Sequence, residues 1–369
     1  MQKRKILIVS ASFYPLNTPR SFRTTELAKE LARQGHLVKV ITPRNADEHD
    51  RFEEEFGLEI GDLGRPKWKL VSAKGKGAFR LLRRGIVRFM KLFFEYPNIE
   101  YFRLVRRALK KESGYDLLIS IAVPHPIHWG VRASNPKNGK VCGTWVADCG
   151  DPYFGQENDS FKVPFYFAWV EKWFMRKADY ITVPTVGAIS AYFPEFRPKI
   201  KVIPQGFRFE DYQYDKEEKK HPVPRFAYAG GFIQGRRDPS EFLNFLQVTE
   251  SDFEFHIFTN TPQVIGNKLI KSDKRIFLHK PVPRKDLLKE LSTMDFMVNF
   301  ENAGSRQTPS KLIDYLILEK PILSIRTGSL NEDHVLEFLS GDYAHQLVIS
   351  DPEQYRIENV GKKFVQLIS

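Results

Sequence analysis

Apolar residues in this chain form short, uninterrupted runs that alternate with stretches of helical periodicity. The first run is KILIVSAS (5–12), and the second is HLVKVITP (36–43). Between them, FRTTELAKELARQG (22–35) has the spacing of an amphipathic helix that closes on a glycine. Runs without polar alternation are typical of strands that are covered on both faces of a parallel sheet. The N-terminal region therefore predicts a strand, a helix and a parallel strand in direct succession.

The alternation of predicted strands and helices is interrupted once along the chain and then resumes. Residues 212–225 carry charges and prolines but no apolar period, so we expect the inter-domain connection in or just before them. Before this segment the pattern predicts strands at 115–123, 140–148 and 199–207, and a helix leading into a strand at 163–185. After it, the pattern predicts strands at 225–231, 253–259, 275–282, 295–301 and 321–326, with helices at 239–249 and 284–294.

Two such series predict an α/β protein with two Rossmann-like domains that face each other across a central cleft. A length of 369 residues also fits two domains better than a single core. We assign residues 1–198 to the first domain and 199–350 to the second. Residues 351–369 are then a C-terminal segment that can return to the first domain.

Composition excludes several classes of protein. Hydrophobic residues at 42% and charged residues at 28% describe a folded chain rather than a disordered one. The two cysteines, Cys142 and Cys149, are too few for a disulfide framework and wrongly spaced for zinc, which fits a reducing cytoplasm. The N-terminal MQKRKILIVSASF imitates a signal peptide, but its apolar run is short and lacks a small-residue cleavage site. No stretch reaches the roughly 18 apolar residues of a membrane span.

The net charge of +12 is concentrated in one basic segment. From Gly64 to Lys111 there are 15 Lys or Arg residues against 2 acidic residues, so the rest of the chain is close to neutral. Within this segment, FRLLRRGIVRFMKLFF (79–94) has one apolar and one basic helical face. Such a helix is expected to lie in a membrane interface and to be attracted to anionic lipid. The candidate membrane-associating residues are Arg80, Arg84, Arg88, Phe89 and Lys91.

Two other interpretations of the basic segment stay open at this stage. A helix with the same pattern also packs its apolar face on a protein core and leaves its basic side in water. The third interpretation of the basic segment is that it binds nucleic acid. No nucleic-acid-binding motif accompanies the charge, so we expect no nucleic-acid partner.

RQTPSKLIDYL (306–316) predicts a helix whose amino end binds an anion. Thr308 is a good N-cap, and the proline after it suits the first helical position. The free N–H groups, the hydroxyl of Ser310 and the ammonium of Lys311 then point to an anion such as phosphate. Asp314 lies one turn further on the same face, within reach of a ribose diol. The alternative is an ordinary capped helix with a solvated lysine and aspartate.

A second candidate anion site is the turn YAGGFIQGRRDP (228–239). Gly230 and Gly231 follow a predicted strand, and Arg236 and Arg237 come a few residues later. Glycines allow the backbone to approach a phosphate closely, and guanidinium groups neutralise its charge. The turn therefore predicts phosphate binding at the first strand of the second domain.

These motifs occur in an order that resembles a known family. VIPQGFRFEDY, YAGGFIQGRR, VPRKDLLKELSTMDFMVNFE and PSKLIDYLILEKPIL resemble the C-terminal half of GT-B glycosyltransferases of the family 4 type. The run from KILIVSAS to HLVKVIT, and WVADCGDPY, are similar to the N-terminal half. The resemblance covers nearly the whole chain. It implies a GT-B fold and a transferase that takes a UDP- or GDP-sugar as donor, retains anomeric configuration and needs no metal or other cofactor.

The resemblance also implies roles for individual residues of the second domain. The diphosphate would face the glycine turn, one of the two arginines after it and the helix start, Asp314 would hold the ribose, and the backbone near Val282 would lie beside the base. The donor-binding candidates are Gly230, Gly231, Arg236, Arg237, Val282, Thr308, Ser310, Lys311 and Asp314. The chain departs from the family at Arg306, where relatives commonly have a glutamate that contacts the donor sugar. The identity of the sugar is therefore not predicted, and Arg306 leaves retention or inversion of the anomeric configuration open.

In the first domain, three groups are candidates for the acceptor side. The loop PLNTPRSFR (15–23) carries Arg20, Ser21 and Arg23, which either approach a phosphate or lie exposed at the surface. His128 matches a histidine found in some relatives. Asp148 and Asp151 follow a predicted strand at the end of the sheet where α/β proteins bind ligands. One of them would orient the acceptor hydroxyl or act as base, and the other would cap the next turn.

The resemblance implies transfer of a sugar to a glycan or lipid-linked acceptor. The expected setting is bacterial surface polysaccharide biosynthesis, in the cytoplasm and at the inner face of the cell membrane. Two alternatives remain. A nucleotide-sugar epimerase has the same fold but needs carboxylates placed for proton abstraction, and a non-catalytic partner protein needs only the nucleotide site.

Overall fold

The structure is a computed structural model of the chain. It describes residues 2–68, 78–138, 140–150, 152–155, 162–212, 221–265, 273–301 and 311–368, with the side chains of 78–80 excepted. The chain divides into two compact units. Met1–Gly206 and Ile357–Ser369 form the first unit, and Phe207–Arg356 form the second.

The first unit is built on a seven-stranded, all-parallel sheet. Its strands are β1 (Lys5–Ser10), β2 (Leu37–Thr42), β3 (Glu59–Asp62), β4 (Tyr115–Ile121), β5 (Cys142–Asp148), β6 (Tyr180–Val183) and β7 (Ile200–Val202). They lie in the order β3-β2-β1-β4-β5-β6-β7. The order reverses between β1 and β4, which is the doubly wound arrangement that the sequence predicted.

Helices cover both faces of this sheet. They are α1 (Pro19–Arg33), α2 (Ala46–Phe56), α3 (Ala78–Phe94), α4 (Glu100–Leu109), α5 (Pro126–Ser134) and α6 (Tyr166–Met175). Leu7 and Val9 of β1 enter one core cluster, whereas Ile6 and Ile8 enter the other. Successive side chains of a strand point to opposite faces, so an all-apolar strand requires two cores.

The second unit repeats the plan with five parallel strands. The strands are β8 (Arg225–Ala229), β9 (Glu254–Phe258), β10 (Ile276–His279), β11 (Phe296–Phe300) and β12 (Ile322–Ile325), and the described helices are α7 (Ser240–Val248), α8 (Arg284–Ser292), α9 (Lys311–Leu318) and α10 (Glu332–Leu339). Their order is β10-β9-β8-β11-β12, all parallel. The reversal here falls between β8 and β11, so a ligand site is expected at the carboxyl ends of these two strands.

The last helix, α11 (Ile357–Val365), belongs to the first unit. Its Val360 and Phe364 are fully buried in the core that contains β1. Gly206 lies so close to this helix that an added Cβ would be 2.8 Å from Val360 Cγ2. The predicted boundary at 198/199 falls before β7, whereas the contacts divide the chain after Gly206, because β7 pairs with β6.

Two further properties follow from the described residues. Cys142 and Cys149 are buried free thiols. Among the helices that the structure describes, none combines the length and apolar character needed to cross a bilayer.

Candidate functional site

The glycine turn after β8 leaves room for the start of α9. Gly230 has a φ of +153°, and a Cβ built there would lie 3.1 Å from the Tyr228 hydroxyl and 3.7 Å from Lys311 Cδ. The Tyr228 hydroxyl donates to the carbonyl of Gly231 at 3.0 Å and so holds the turn in place. A side chain at position 230 would be strained and would crowd the lysine, which explains the glycine.

Lys311 is a buried cation without a counter-ion in the described structure. It is 8% exposed, and its Nζ lies 4.1 Å from the centroid of the Tyr228 ring. Among the described residues, Nζ has no hydrogen-bond partner. Burial, and then the charge of Arg237, hold the pKa of the Lys311 ammonium well below its ordinary value. Burying an unpaired ammonium is costly, so this position favours an anion.

Arg237 is the arginine that shares this site. Its charge lowers the pKa of Lys311, and its Nε is buried without a partner in the part of the chain that the structure describes. The turn folds back on itself, with the Ile233 N–H donating to the Arg237 carbonyl at 3.1 Å. Arg236 is exposed. The sequence left the choice between the two arginines open, and the fold of the turn favours Arg237.

Asp314 lies one turn further along α9 and is held by an arginine that the sequence analysis did not single out. Arg284 Nε donates to Asp314 Oδ1 at 3.0 Å, and its guanidinium lies over the rings of Phe207 and Tyr212 at 3.7 and 4.5 Å. Burial raises the pKa of the Asp314 carboxyl, although the charge of Arg284 opposes this. Contact with the ribose stays a prediction for Asp314. Val282, predicted beside the base, is 40% exposed two residues before Arg284.

These groups meet at the switch point of the second sheet. Gly230 follows β8, Glu301 follows the adjacent β11, and Lys311 begins the helix described next along the chain. The Ser324 hydroxyl donates to Glu301 Oε1 at 3.0 Å. The predicted Thr308 and Ser310, and the departure at Arg306, lie outside the described residues.

In the first unit, Arg23 and Asp148 form a buried ion pair. Arg23 Nε and Nη2 lie 3.0 Å from the two Asp148 oxygens, and the hydroxyl of Thr182 donates to Oδ1 at 2.6 Å. The guanidinium also donates to the carbonyls of Ile203 and Pro204.

The surroundings of this pair correct two predicted roles. Burial raises the pKa of the Asp148 carboxyl, but the charge of Arg23 outweighs this and holds the pKa below its ordinary value. Asp148 and Arg23 are only 2% and 3% exposed. A carboxylate with both oxygens engaged, away from solvent, does not fit a general base, and this arginine does not fit a phosphate ligand. The pair instead ties α1 to β5.

His128 is also a core residue. It has no exposed surface, its Nδ1 contacts Ser120 Oγ at 2.8 Å and its Nε2 contacts Cys149 Sγ at 3.6 Å. Its ring stacks on Phe174 at 5.1 Å. Burial lowers the pKa of His128 to about 3, so the ring is neutral. A buried neutral ring with both nitrogens in contact does not fit the catalytic role predicted from the sequence.

Arg20 is the residue of the first loop that reaches the end of β5. A Cβ at Gly150 would lie 1.6 Å from Arg20 Nη2, so the guanidinium rests directly against the Gly150 backbone. Ser21 is 1% exposed, and its N–H is capped by the Thr18 hydroxyl at 3.2 Å. Arg20 therefore stays a candidate for contact with substrate. Asp151, the residue after Gly150, lies outside the described residues.

Much of the apolar face of α3 is exposed to water. Leu81, Leu82, Ile86 and Phe89 are between 46% and 64% exposed and enter none of the core clusters formed by the described residues. The basic side chains of α3 whose exposure is described include Arg84, Arg88 and Lys91, which are all exposed. This exposure contradicts the interpretation of α3 as a core-facing helix. Contact with a membrane stays a prediction.

One group of side chains in the described part of the chain has the spacing of metal ligands. The donor atoms of His334, Glu337 and His345 lie within 4.8 Å of one another. His345 Nδ1 is hydrogen-bonded to Glu337 Oε2 at 2.6 Å, and the two imidazoles stack at 4.2 Å. The hydrogen bond and the ring stacking explain why these side chains lie close together without a bound ion.

Two doubly wound units of parallel strands are the architecture of the GT-B fold. The family model of the glycosyl transferase 4-like domain matches residues 21–206, half of the chain. The chain belongs to this glycosyltransferase family. No curated protein matches the chain.

Solved structures share the fold of the chain but little of its sequence. The lipopolysaccharide outer core galactosyltransferase WaaB, in its apo form, has a TM-score of 0.60 at 12% identity, with 99% of each chain covered. UGT89C1 of Arabidopsis thaliana in complex with UDP-L-rhamnose has a TM-score of 0.54 at 10% sequence identity, with 100% of each chain covered. The UDP-GlcNAc 2-epimerase from Methanocaldococcus jannaschii has a TM-score of 0.54 at 12% sequence identity, with 99% of each chain covered. At such identities the similarity establishes the fold alone, and the predicted GT-B fold is confirmed.

Proposed function

We propose that this protein transfers a sugar from a UDP- or GDP-sugar to a glycan or lipid-linked acceptor in bacterial surface polysaccharide biosynthesis. Membership of the family supports the transferase class. A structural neighbour in complex with UDP-L-rhamnose supports a nucleotide-sugar donor. The similar fold of WaaB, a lipopolysaccharide outer core galactosyltransferase, supports the polysaccharide setting.

One observation carries the proposed donor site. Lys311 is buried over Tyr228, without a hydrogen-bond partner among the described residues, and it lies in the field of Arg237. The mutual repulsion of two such cations is relieved by a ligand that carries about two negative charges. A diphosphate meets that need, because its charge pairs with both the ammonium and the guanidinium.

The same groups suit the departure of a nucleoside diphosphate. Negative charge develops on the diphosphate as the bond to the sugar breaks, and fixed cations in a site of low dielectric stabilise that charge. In our proposal Lys311 and Arg237 supply this stabilisation without a divalent ion, and the anomeric configuration is retained. Asp314, oriented by Arg284, holds the ribose.

On the acceptor side, the burial of Asp148 and His128 leaves Arg20 and Asp151 as the candidates. We assign the orientation of the acceptor to Asp151 and Arg20, because Arg20 rests against Gly150 at the end of β5. Ligands of doubly wound sheets bind at this end of the strands.

We place the enzyme at the inner face of the cell membrane. The exposed apolar face of α3, the neighbouring Arg84 and the +13 charge between residues 64 and 111 support attachment to an anionic surface.

The first experiment measures nucleotide binding and turnover with the full chain. UDP and GDP are added in a thermal-shift panel, and UDP- or GDP-sugars are then incubated with bacterial lipid and glycan extracts while free nucleoside diphosphate is measured, with and without EDTA. We expect a melting shift with one nucleotide, and acceptor-dependent release that survives EDTA.

Other outcomes separate the alternatives. Conversion of the donor sugar without release of diphosphate indicates an epimerase. Tight binding without any turnover indicates a non-catalytic nucleotide-binding protein. Loss of release in EDTA contradicts the metal-independent mechanism.

A further inference from the structure

A pocket lined by aromatic side chains lies in the first unit, among residues that no part of the donor or acceptor assignment uses. Its volume is about 710 Å³, and eight of its eleven lining residues are aromatic. Its wall includes Phe94 at the end of α3, Trp129 of α5, and Phe167 and Trp169 of α6. Pockets that hold organic ligands measure roughly 300 to 1,000 Å³, so this aromatic pocket has the size of a ligand site.

The aromatic pocket is open to water at one end and dry at the other. Phe94 and Trp169 are 54% and 68% exposed, whereas Trp129 and Phe167 are 3% and 5% exposed. Aromatic rings that are left in water along a continuous apolar surface usually have an occupant. Apart from the indole N–H groups, the Tyr166 hydroxyl and Arg176, the lining side chains are apolar, so we expect an occupant that is apolar along most of its length.

A cationic side chain lies in the lining of the aromatic pocket. Arg176, at the end of α6, lines the aromatic pocket and is exposed, and in the described part of the structure its guanidinium forms no hydrogen bond or salt bridge. The helix that supplies Phe94 also carries Arg84 and Lys91, both exposed. An apolar pocket with an exposed arginine in its lining is complementary to an amphiphile with a hydrocarbon chain and an anionic head.

The dry end adjoins the end of the sheet where the acceptor is expected. Tyr153, in the segment after β5, has its ring 5.7 Å from that of Trp129 and 5.0 Å from that of Phe167. The Tyr153 hydroxyl donates to Glu95, just beyond α3, at 2.8 Å. One aromatic side chain thus separates the aromatic pocket from the loop that follows Asp148.

We infer that the aromatic pocket holds the hydrocarbon chain of a single lipid phosphate. The identification of that lipid as the acceptor rests on the proposed function, whereas the binding of the chain does not. A second copy of the protein is a poorer occupant, because it would bring two segments of charge +13 together.

The test uses brominated alkyl phosphates, because bromine quenches tryptophan fluorescence at short range. Trp129, Trp169 and Trp173 line the aromatic pocket, and the chain has five tryptophans in all. We expect saturable quenching of the full-length protein by brominated dodecyl phosphate below its micelle threshold. Each buried methylene tightens binding roughly fourfold, so dodecyl phosphate should bind on the order of 200-fold more tightly than octyl phosphate. Inorganic phosphate should leave the fluorescence unchanged.

A pair of variants locates the binding. The double variant Trp169→Ala with Phe94→Ala removes two exposed rings of the opening and should weaken dodecyl phosphate binding at least tenfold, read from the remaining tryptophans. Phe165→Ala is the matched control, because Phe165 is 71% exposed beside α6 but does not line the aromatic pocket. Circular dichroism and the melting temperature check that each variant is folded.

Four results would overturn the inference. These are an absence of saturable quenching, equal affinity for the octyl and dodecyl chains, binding to anionic vesicles without binding of the monomeric amphiphile, and a lipid-independent dimer that the double variant abolishes. Nucleotide binding is measured on the same samples. If UDP or GDP binds and the amphiphile does not, the inference fails and the proposed function stands; the converse result removes the proposed function only.

Discussion

Replacement of Lys311 by methionine should change protein stability and nucleotide affinity in opposite directions. Methionine keeps an unbranched apolar stem over Tyr228 and removes the ammonium. In the ligand-free protein that ammonium is 8% exposed and has no hydrogen-bond partner among the described residues. Its loss should therefore leave the free energy of unfolding at neutral pH unchanged or higher.

The pH dependence of the free energy of unfolding shows whether Lys311 stabilises or destabilises the folded protein. Because the pKa of Lys311 in the folded protein lies well below 10.5, the unfolded chain binds more protons between the two pKa values. The destabilisation due to Lys311 is therefore largest at low pH and disappears as pH rises towards 10.5. The stability difference between Lys311→Met and the wild type should shrink over the same range.

Nucleotide binding should respond in the opposite way. A diphosphate supplies the missing counter-charge, so the pKa of Lys311 rises on binding and a proton is taken up. A charge-assisted contact contributes about 1.5 to 3 kcal/mol, which corresponds to a roughly 10- to 150-fold weaker affinity in the variant. The wild-type affinity should fall as pH rises, and the variant should lose that part of the dependence.

Isothermal titration calorimetry measures both effects when it is repeated at several pH values in buffers of different ionisation enthalpy. Lys289→Met is the matched control, because Lys289 is an exposed lysine of the same unit, on α8. Equal nucleotide affinity in Lys311→Met and wild type would refute the donor site. A parallel loss of melting temperature and affinity would instead show that the lysine supports the fold.

The remaining predictions concern four other places in the chain. Asp148→Asn leaves the buried Arg23 unpaired and should lower the free energy of unfolding by about 3 to 5 kcal/mol in urea denaturation, with nucleotide affinity unchanged. Glu171 accepts hydrogen bonds from the N–H groups of Tyr153 and Phe154, and burial raises the pKa of its carboxyl to about 7. The free energy of unfolding should therefore fall by on the order of 3 kcal/mol as pH rises from 4.5 towards 7. Denaturation curves of Glu171→Gln, measured at several pH values, should lack this pH dependence. Asp314→Asn should raise the Michaelis constant for the donor more than it lowers the melting temperature, and an equal effect on both would indicate a structural role beside Arg284. Replacement of Arg80, Arg84 and Arg88 by glutamine should reduce co-sedimentation with anionic vesicles, because each basic residue near an anionic surface contributes about 1 kcal/mol; unchanged sedimentation would contradict membrane attachment.

The alternation of strands and helices could be recognised from neighbouring residues alone. KILIVSAS and the five runs of the second unit became strands, because strands covered in a parallel sheet are mostly apolar and this property is visible locally. The edge strand β10 is less covered, with Phe277 and Leu278 38% and 40% exposed. Helix α1 begins at Pro19, three residues earlier than predicted, because Thr18 caps it. The glycine turn and the lysine at the start of α9 were also recognisable, because the glycines and the lysine are visible in the sequence as a candidate phosphate site.

Distant contacts decided what the local pattern left open. Arg23 and Asp148 are separated by 125 positions, and nothing near either residue indicates that they form a buried pair. The amphipathic pattern of α3 is the same for a core-facing and an exposed helix, and only the absence of a partner for its apolar face among the described residues distinguishes them. The aromatic pocket takes its walls from four helices, so no single stretch contains its signature. Periodicity records which side of an element is apolar, whereas burial depends on which remote segment, if any, covers that side.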